Sequence, residues 1–153
     1  MVIKKTYKDI LVFNDMENCI FCRIVNNEIP STKLYEDNDV LVILDIRPAS
    51  KHGGHTLVIT KKHFELITDL PDNLLKKVSL IIKKVSKALL IFSKGLNVLQ
   101  NNKKLAGQAI PHVHFHLIPR FPNDNVTVEK WSMNEYKDGE IGKIALKIRN
   151  FLK

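Results

Sequence analysis

The segment from His112 to Ile118 constrains this chain most, because histidines occupy three alternate positions in it, 112, 114 and 116. Side chains of a β-strand alternate between its two faces, so the three histidines would share one face and the apolar residues between them the other. A helix would scatter the same histidines around its circumference, and Val, Phe and Ile favour strands. The alternation therefore predicts a half-buried strand whose open face carries His112, His114 and His116.

A row of imidazoles indicates a reactive site. Near neutral pH, imidazole can act as a nucleophile, a proton carrier or a metal ligand. Such a row suits chemistry on anionic phosphoryl groups. The alternative is a strand with ordinary surface histidines, which three histidines in register make less attractive than one pair would.

Length and composition predict one compact domain. The chain has 153 residues, of which 44% are hydrophobic, enough for a proper core. The sequence has no run of 18 apolar residues and no secretory signal pattern, so we expect a cytoplasmic protein without a membrane partner. Both cysteines lie in one Cys-x-x-Cys, which fits a reducing compartment and argues against a disulfide framework.

The formal net charge of +8 raises the question of a nucleic-acid partner. The basic residues are mostly lysines in short pairs, such as Lys61-Lys62 and Lys83-Lys84, which is typical of solvated faces. No aromatic stacking platform is evident, so a nucleic-acid role is disfavoured. It stays an alternative that predicts steeply salt-dependent binding, whereas attraction of small anionic substrates fits the charge well.

Hydrophobic periodicity predicts an α+β fold with a mainly antiparallel five-stranded sheet, one long helix and a C-terminal helix. The predicted strands are Lys33–Glu36, Val40–Asp45, His55–Thr60, Leu96–Gln100 and His112–Ile118. The predicted helices are Asp72–Lys94, with Asp72 as its cap and Gly95 just past its end, Ile20–Asn26 and Ile141–Phe151.

The residues around the histidine row resemble the histidine triad (HIT) superfamily. Asn101 and Ala106–Pro111 lead into the row, and Pro119-Arg120 follow it. Further matching segments come in the family's order: Cys19–Cys22, Glu28–Pro30, Tyr35–Asp37, Leu44–Pro48, Gly54–Ile59 and Lys61–His63. The resemblance runs from about Asn18 to about Pro122 and implies a HIT-like fold and a homodimer formed through the long helix and a strand. Residues 1–15 are predicted to be an N-terminal extension of a HIT domain at residues 16–153.

The Cys19-x-x-Cys22 spacing by itself fits a redox pair, a zinc site or coincidence. A thioredoxin-like redox role is disfavoured, because no βαβ pattern surrounds the pair. Similarity to the bacterial, Hint-like branch of the family implies a structural zinc site formed by Cys19, Cys22, His63 and His112. Two buried free cysteines are the alternative.

The resemblance also implies catalytic roles for the triad. His114 would be the nucleophile that attacks the α-phosphate of a nucleotide and forms a nucleotidyl-imidazole intermediate, which water hydrolyses. His116 would help to hold the phosphate and handle protons, and His112 completes the triad. His55 matches a histidine that supports the triad from a neighbouring strand.

The nucleotide contacts implied by the family fall into three groups. Asp45 would accept hydrogen bonds from the ribose, although it could also be a plain turn residue. The residues near the phosphate would be Asn101, Gly107, Gln108 and Ala109. The residues that form or border the purine pocket would be Ile20, Phe21, Ile24, Ile43 and Ile46, any of which could instead belong to the core.

Two departures from the family pattern affect substrate choice. Ala109 stands where relatives often carry Ser or Thr, so a hydroxyl near the phosphate is missing, and Leu44 replaces a polar residue of some relatives. The predicted activity is hydrolysis or transfer on an AMP or GMP derivative of phosphoramidate or acyl-adenylate type. A Fhit-like dinucleoside polyphosphate hydrolase and a nucleotide-binding regulator with incidental hydrolysis are the alternatives.

Overall fold

The computed structural model of the chain describes residues 18–128 and 133–152. The predicted N-terminal extension, residues 1–15, lies outside these ranges. Within them, no helix combines the length and the apolar character that crossing a bilayer requires.

Three α-helices, five strands and two short 3₁₀ helices, Ile67–Asp69 and Lys104–Ala106, make up the regular structure of the described residues. The helices are α1 (Ile20–Val25), α2 (Asp72–Phe92) and α3 (Glu140–Phe151). The strands are β1 (Lys33–Glu36), β2 (Val40–Leu44), β3 (Thr56–Thr60), β4 (Gly95–Leu99) and β5 (His114–Arg120).

The five strands form one antiparallel sheet in the order β1-β2-β3-β5-β4. This confirms the predicted α+β class. Strands β3 and β5 are neighbours in the interior of the sheet, and their register sets Ile59 opposite His114 and Leu57 opposite His116. The interior strand β5 therefore carries two of the three triad histidines.

The strand that carries the triad begins later than predicted. His112 lies outside the ladder, because its N–H donates to the carbonyl of Ile110 and the N–H of Val113 donates to the carbonyl of Phe64. The strand starts at His114 and continues beyond the predicted end, through Pro119 to Arg120. The other strand boundaries shift by one residue at most.

Helix α2 differs from the prediction at both ends. Pro71 occupies the N-cap position and Asp72 is the first helical residue, so Asp72 is not the cap. The helix ends at Phe92, because the amide and the hydroxyl of Ser93 both donate to the carbonyl of Leu89 and close the last turn. Gly95 already belongs to β4.

The two faces of the sheet bury different clusters. Val113, Phe115 and Leu117 pack with the apolar stripe of α2, whose buried members are Val78, Ile81 and Leu89. The opposite face carries a second cluster, in which Cys19, Phe21, Cys22 and Ile24 cover Leu41, Ile43, Leu57 and Ile59. The predicted alternation thus holds within β5, where the apolar residues point to α2 and the histidines to the side of α1.

Candidate active site and metal centre

Strands β3 and β5 bring three histidines together. His114 and His116 are neighbours on β5, with ring centroids 4.9 Å apart. His55 directly precedes β3, and its Nε2 lies 2.9 Å from Nδ1 of His116. Each imidazole is at least partly buried, so its hydrogen bonds determine which nitrogen carries the proton.

His114 presents an unprotonated Nε2. Its Nδ1 lies 2.7 Å from the backbone carbonyl of His112, which can only accept, so the proton is on Nδ1 and the lone pair on Nε2. Among the described residues, no hydrogen-bond partner of this Nε2 is recorded. Burial lowers the pKa of His114, which keeps the ring neutral near pH 7. A neutral imidazole with a free lone pair is a competent nucleophile.

His116 carries its proton on the opposite nitrogen. The backbone N–H of Ala49 donates to Nδ1 of His55 over 3.2 Å, so the proton of neutral His55 is on Nε2. That N–H donates to Nδ1 of His116, which leaves the proton of His116 on Nε2. Burial lowers the pKa of His116 most, and the neighbouring His114 and His55 lower it further, to about 4. Neutral His116 is therefore a hydrogen-bond donor through Nε2.

Asp45 lies beside this pair of histidines. Its Oδ1 accepts the N–H of Arg47 over 2.8 Å, which is the turn role considered from the sequence. Its Oδ2 lies 3.9 Å from Nδ1 of His55. Burial lowers the pKa of His55, and the nearby Asp45 charge partly opposes that shift. The ribose contact of Asp45 stays a prediction.

Four candidate metal ligands converge at the start of α1. Nδ1 of His112 lies 3.3 Å from Sγ of Cys19 and 3.5 Å from Sγ of Cys22, and Sγ of Cys22 lies 3.3 Å from Nδ1 of His63. All four ligand atoms lie within 4.8 Å of one another. Nε2 of His112 donates to the carbonyl of Thr60 over 2.7 Å, so its lone pair on Nδ1 faces the sulfurs.

This donor set fits zinc. A tetrahedral zinc ion with usual bond lengths separates its sulfur and nitrogen ligands by about 3.6 Å, close to the distances found here. Burial and the neighbouring Cys19 raise the pKa of Cys22 to about 12, so a bound cation would be needed for the Cys22 thiol to ionise near neutral pH. The family resemblance implied the same four residues, and the fold brings them together.

The loop before the triad is braced by Gln108. Its carboxamide oxygen accepts the N–H of Lys103 over 2.6 Å and its amide donates to the carbonyl of Glu65 over 2.8 Å. Asn101 donates to the carbonyl of Gly107 over 3.4 Å. The N–H groups of Gly107 and Gln108 also bond within the loop. Three of the predicted phosphate contacts, Asn101, Gly107 and Gln108, therefore stabilise the loop. Their contact with phosphate stays a prediction.

Ala109 lies in a different setting. It lines a cleft of about 440 Å³ that also borders Cys19 and His63, and no hydrogen bond is recorded for its N–H within the described ranges. The small side chain leaves this part of the cleft without a hydroxyl. Because the backbone N–H of Ala109 has no recorded partner in the described part of the chain, it is a candidate donor to an incoming anion.

The predicted purine-pocket residues separate into two sets. Ile20 is 43% exposed and Ile46 is 88% exposed, so both have surface to offer a ligand. Phe21, Ile24 and Ile43 are buried in the core, which is the alternative considered from the sequence. Their direct contact with a base stays a prediction that the burial makes less favourable.

Several functional neighbours were missed by the sequence analysis. The carbonyl of Thr60 orients His112, and the N–H of Ala49 orients His55. Backbone groups carry no side-chain signature, so no sequence pattern could have indicated them.

Comparisons with known proteins agree with this geometry. The family model described as HIT domain matches residues 26–123. Adenosine 5'-monophosphoramidase from Saccharomyces cerevisiae is 40% identical over 126 residues, covering 82% of this chain and 77% of that protein. The crystal structure of a HIT family member from Bacillus subtilis has a TM-score of 0.80 at 39% identity, covering 87% of this chain and 96% of that one.

A zinc-bound relative is also similar. The crystal structure of a zinc-bound histidine triad family protein from Mycobacterium smegmatis has a TM-score of 0.67 at 30% identity, covering 90% of this chain and 99% of that one.

Proposed function

Since the chain belongs to the HIT domain family, we propose that it hydrolyses purine nucleoside monophosphate derivatives of the phosphoramidate or acyl-adenylate type. The observation that carries this proposal is the pair of opposite tautomers on β5. Nε2 of His114 is unprotonated, whereas Nε2 of His116 carries the proton. A nucleophile and a donor stand side by side. The name of the yeast relative supports the phosphoramidate class.

The proposed reaction has two steps. The Nε2 lone pair of His114 attacks the α-phosphorus, a new N–P bond forms, and the bond to the leaving group breaks with its electron pair. A leaving amine takes a proton, for which the Nε2–H of His116 is the candidate source, and the attacking water of the second step returns a proton to that nitrogen; a leaving carboxylate departs as the anion and needs none. Water then attacks the nucleotidyl-histidine, releases the nucleoside monophosphate and restores Nε2.

Substrate contacts follow from exposure and free hydrogen-bonding capacity. The N–H of Ala49 is taken by His55, whereas the N–H of Ala109 has no recorded partner among the described residues and is proposed to meet the phosphoryl charge. Oδ2 of Asp45 is proposed to accept from the ribose, and the exposed Ile20 and Ile46 to border the purine. With Ala at position 109, no side-chain hydroxyl there would assist the leaving group.

The four-ligand cluster is proposed to hold a structural zinc ion through Cys19, Cys22, His63 and His112. Zinc there would neutralise the two thiolates and tie the start of α1 to the sheet. The triad residues His114 and His116 are not among its ligands, so the metal would not take part in the chemical steps.

A homodimer is proposed through β4 and α2. β4 is an edge strand of the described sheet, with Val98 half-exposed. The outward stripe of α2 carries Leu80 and Ile91, which are 68% and 87% exposed. An open strand edge beside exposed apolar residues is a surface that self-association would cover.

Purified wild-type protein tests the activity with an adenosine phosphoramidate and with diadenosine polyphosphates as substrates. We expect AMP release and an acid-labile nucleotidyl adduct from wild type, and neither from His114→Ala. His52→Ala is the matched control, because it removes an exposed histidine whose recorded ring contact is with Phe121 rather than with the triad. Faster cleavage of the diadenosine compounds would favour the Fhit-like alternative, and saturable AMP binding without turnover would favour a regulator.

A further inference from the structure

Phe21 links the metal centre to the candidate nucleophile. It lies between Cys19 and Cys22 in sequence, and the residue is only 4% exposed. The ring packs edge-on against His114, with centroids 4.9 Å apart, and against His112 at 5.8 Å. One buried aromatic ring therefore contacts a metal-ligand candidate and the nucleophile candidate together.

The segment that carries Phe21 depends on its anchors. Helix α1 has six residues, too few for a stable helix on its own. Cys19 is its N-cap, and its Sγ accepts the N–H of Cys22 over 3.4 Å. The side chains of Cys19 and Cys22 both belong to the proposed metal cluster. Metal ligation would therefore fix the start of α1 and the position of the Phe21 ring.

We propose that Phe21 is a positioning residue that transmits metal occupancy at the Cys19/Cys22 cluster to the ring of His114. A second contact acts in the same direction, because His112 offers its ring to the cluster and its carbonyl to Nδ1 of His114. Together they hold His114 with its proton on Nδ1 and Nε2 bare. This inference rests on the proposed zinc site and on the proposed role of His114.

Burial distinguishes this role from the purine-pocket role that the family resemblance implies for Phe21. A side chain with 4% exposure has little surface to stack on a base. Loss of a base contact would raise KM, whereas loss of nucleophile positioning would lower kcat. The two roles therefore predict different effects on the two kinetic constants.

The direct test follows the ring nitrogens of His114 by ¹⁵N-¹H NMR while zinc is added to metal-free protein. In wild type, we expect zinc to move the His114 signals toward the pattern of a single Nδ1–H tautomer. In Phe21→Ala, zinc should still bind, because all four ligands remain, but about half or more of that movement should be lost. Zinc binding itself is followed by competition with a chelator.

Val25→Ala is the matched control, since it also truncates an apolar side chain of α1 that packs on the same cluster but has no recorded contact with the triad. It should keep the wild-type response. If Phe21→Ala proves unfolded, Phe21→Leu replaces it, because it keeps apolar volume and loses the aromatic edge.

Kinetics supply the second readout. Phe21→Leu should lower kcat about tenfold with little change in KM, because a misplaced nucleophile slows chemistry more than binding. A wild-type protein that binds no zinc, a zinc response unchanged by Phe21→Ala, or a rise in KM alone would each overturn the inference. Failure of the proposed function looks different, since wild type would then release no AMP whatever its zinc response.

Discussion

Each imidazole of the candidate site takes its chemical character from the group that faces its second nitrogen. A backbone carbonyl faces one nitrogen of His112 and one of His114, but the nitrogens differ, so His112 keeps a lone pair on Nδ1 and His114 on Nε2. His116 faces an N–H of His55 instead and keeps its proton at Nε2. Three histidines of one short segment are thus suited to the three proposed roles of metal ligand, nucleophile and donor.

Replacing His55 by Phe tests the donor role of His116. The change removes the N–H that faces Nδ1 of His116, so the proton of His116 is free to move to that nitrogen and the donor at Nε2 weakens. We expect kcat to fall about tenfold, which is less than the fall usually caused by removing a proton-transfer group altogether. ¹⁵N-¹H NMR of the His116 ring should show the change of tautomer. An unchanged tautomer with unchanged kcat would contradict the assignment.

The buried histidines also predict how stability depends on pH. Unfolded imidazole titrates near pH 6.5, whereas burial lowers the pKa of His116 to about 4 and that of His114 in the same direction. Between these values the unfolded chain binds more protons than the folded one, so the free energy of unfolding falls as the pH drops from about 6.5 toward 4. Above pH 6.5 this contribution is constant.

Urea unfolding at pH 7.5 and pH 5 measures this dependence. We expect a lower midpoint at pH 5 and a smaller drop for His116→Asn, which cannot titrate. A midpoint that rises on acidification would show that these histidines are not held neutral.

The sequence predicted the residues of the site better than their contacts. Side-chain spacing was enough to select the triad, and the family resemblance added the two cysteines and His63 as ligands. The partners that set the tautomers are main-chain groups of Thr60, Ala49 and His112, which almost any residue type would provide. Only the strand register and the loop conformation determine where those groups lie.

At the level of elements, β5 shows why its end was predicted too early. A proline normally ends a strand, because it cannot donate to the ladder. The pairing of β5 with β3 extends no further than Leu117. No residue of β3 therefore needs a hydrogen bond from the backbone of Pro119. Arg120 then holds the strand end through the carboxylate of Asp124, the side chain of Asn97 and the carbonyl of Val126. These contacts extend the strand past the point at which the sequence pattern stops.

The two glycines before His55 separate backbone strain from steric contact. Gly53 and Gly54 both have positive φ, at 75° and 79°. A Cβ at Gly53 would meet open space, whereas one at Gly54 would lie 3.0 Å from Cγ of Pro119 and 3.2 Å from Cζ of Phe92. Gly53→Ala should lower the free energy of unfolding by about 1 kcal/mol from strain alone. Gly54→Ala should lower it by about 2 kcal/mol more, because the loop must move away from β5 and the end of α2.

Urea denaturation of the two variants measures the difference. Equal losses would mean that the loop before β3 yields without disturbing its contacts with Pro119 and Phe92.

At the scale of the whole molecule, the proposed zinc site would tie the first described segment to the sheet. Zinc bound to the folded state alone would stabilise it by about 4 kcal/mol at a free concentration a thousandfold above Kd. Thermal unfolding with and without a chelator should therefore show a lower Tm after metal removal. In Cys22→Ser the Tm should be low in both conditions, because one ligand is lost. A chelator-insensitive wild type would contradict a structural zinc site.

The oligomeric state depends on the surfaces that one chain leaves exposed. Leu80 and Ile91 are eleven residues apart on α2 and so lie on the same stripe of the helix, where both are exposed. If this surface forms the proposed homodimer, Ile91→Asp would bury an unpaired carboxylate in the interface and should shift the protein from dimer to monomer. In an isolated chain the same change would matter little, because Ile91 is 87% exposed.

Ile46→Asp provides the matched control for the dimer. Ile46 is 88% exposed but follows β2, on the other side of the sheet's centre from β4, so its replacement should leave the dimer intact. Light scattering coupled to size-exclusion chromatography gives the mass of each variant over a range of concentrations. A monomeric wild type would refute the dimer. If Ile91→Asp remains dimeric like Ile46→Asp, the interface lies elsewhere. An interface across α2 would bury the carboxylate introduced at position 91, and only dissociation would return it to water.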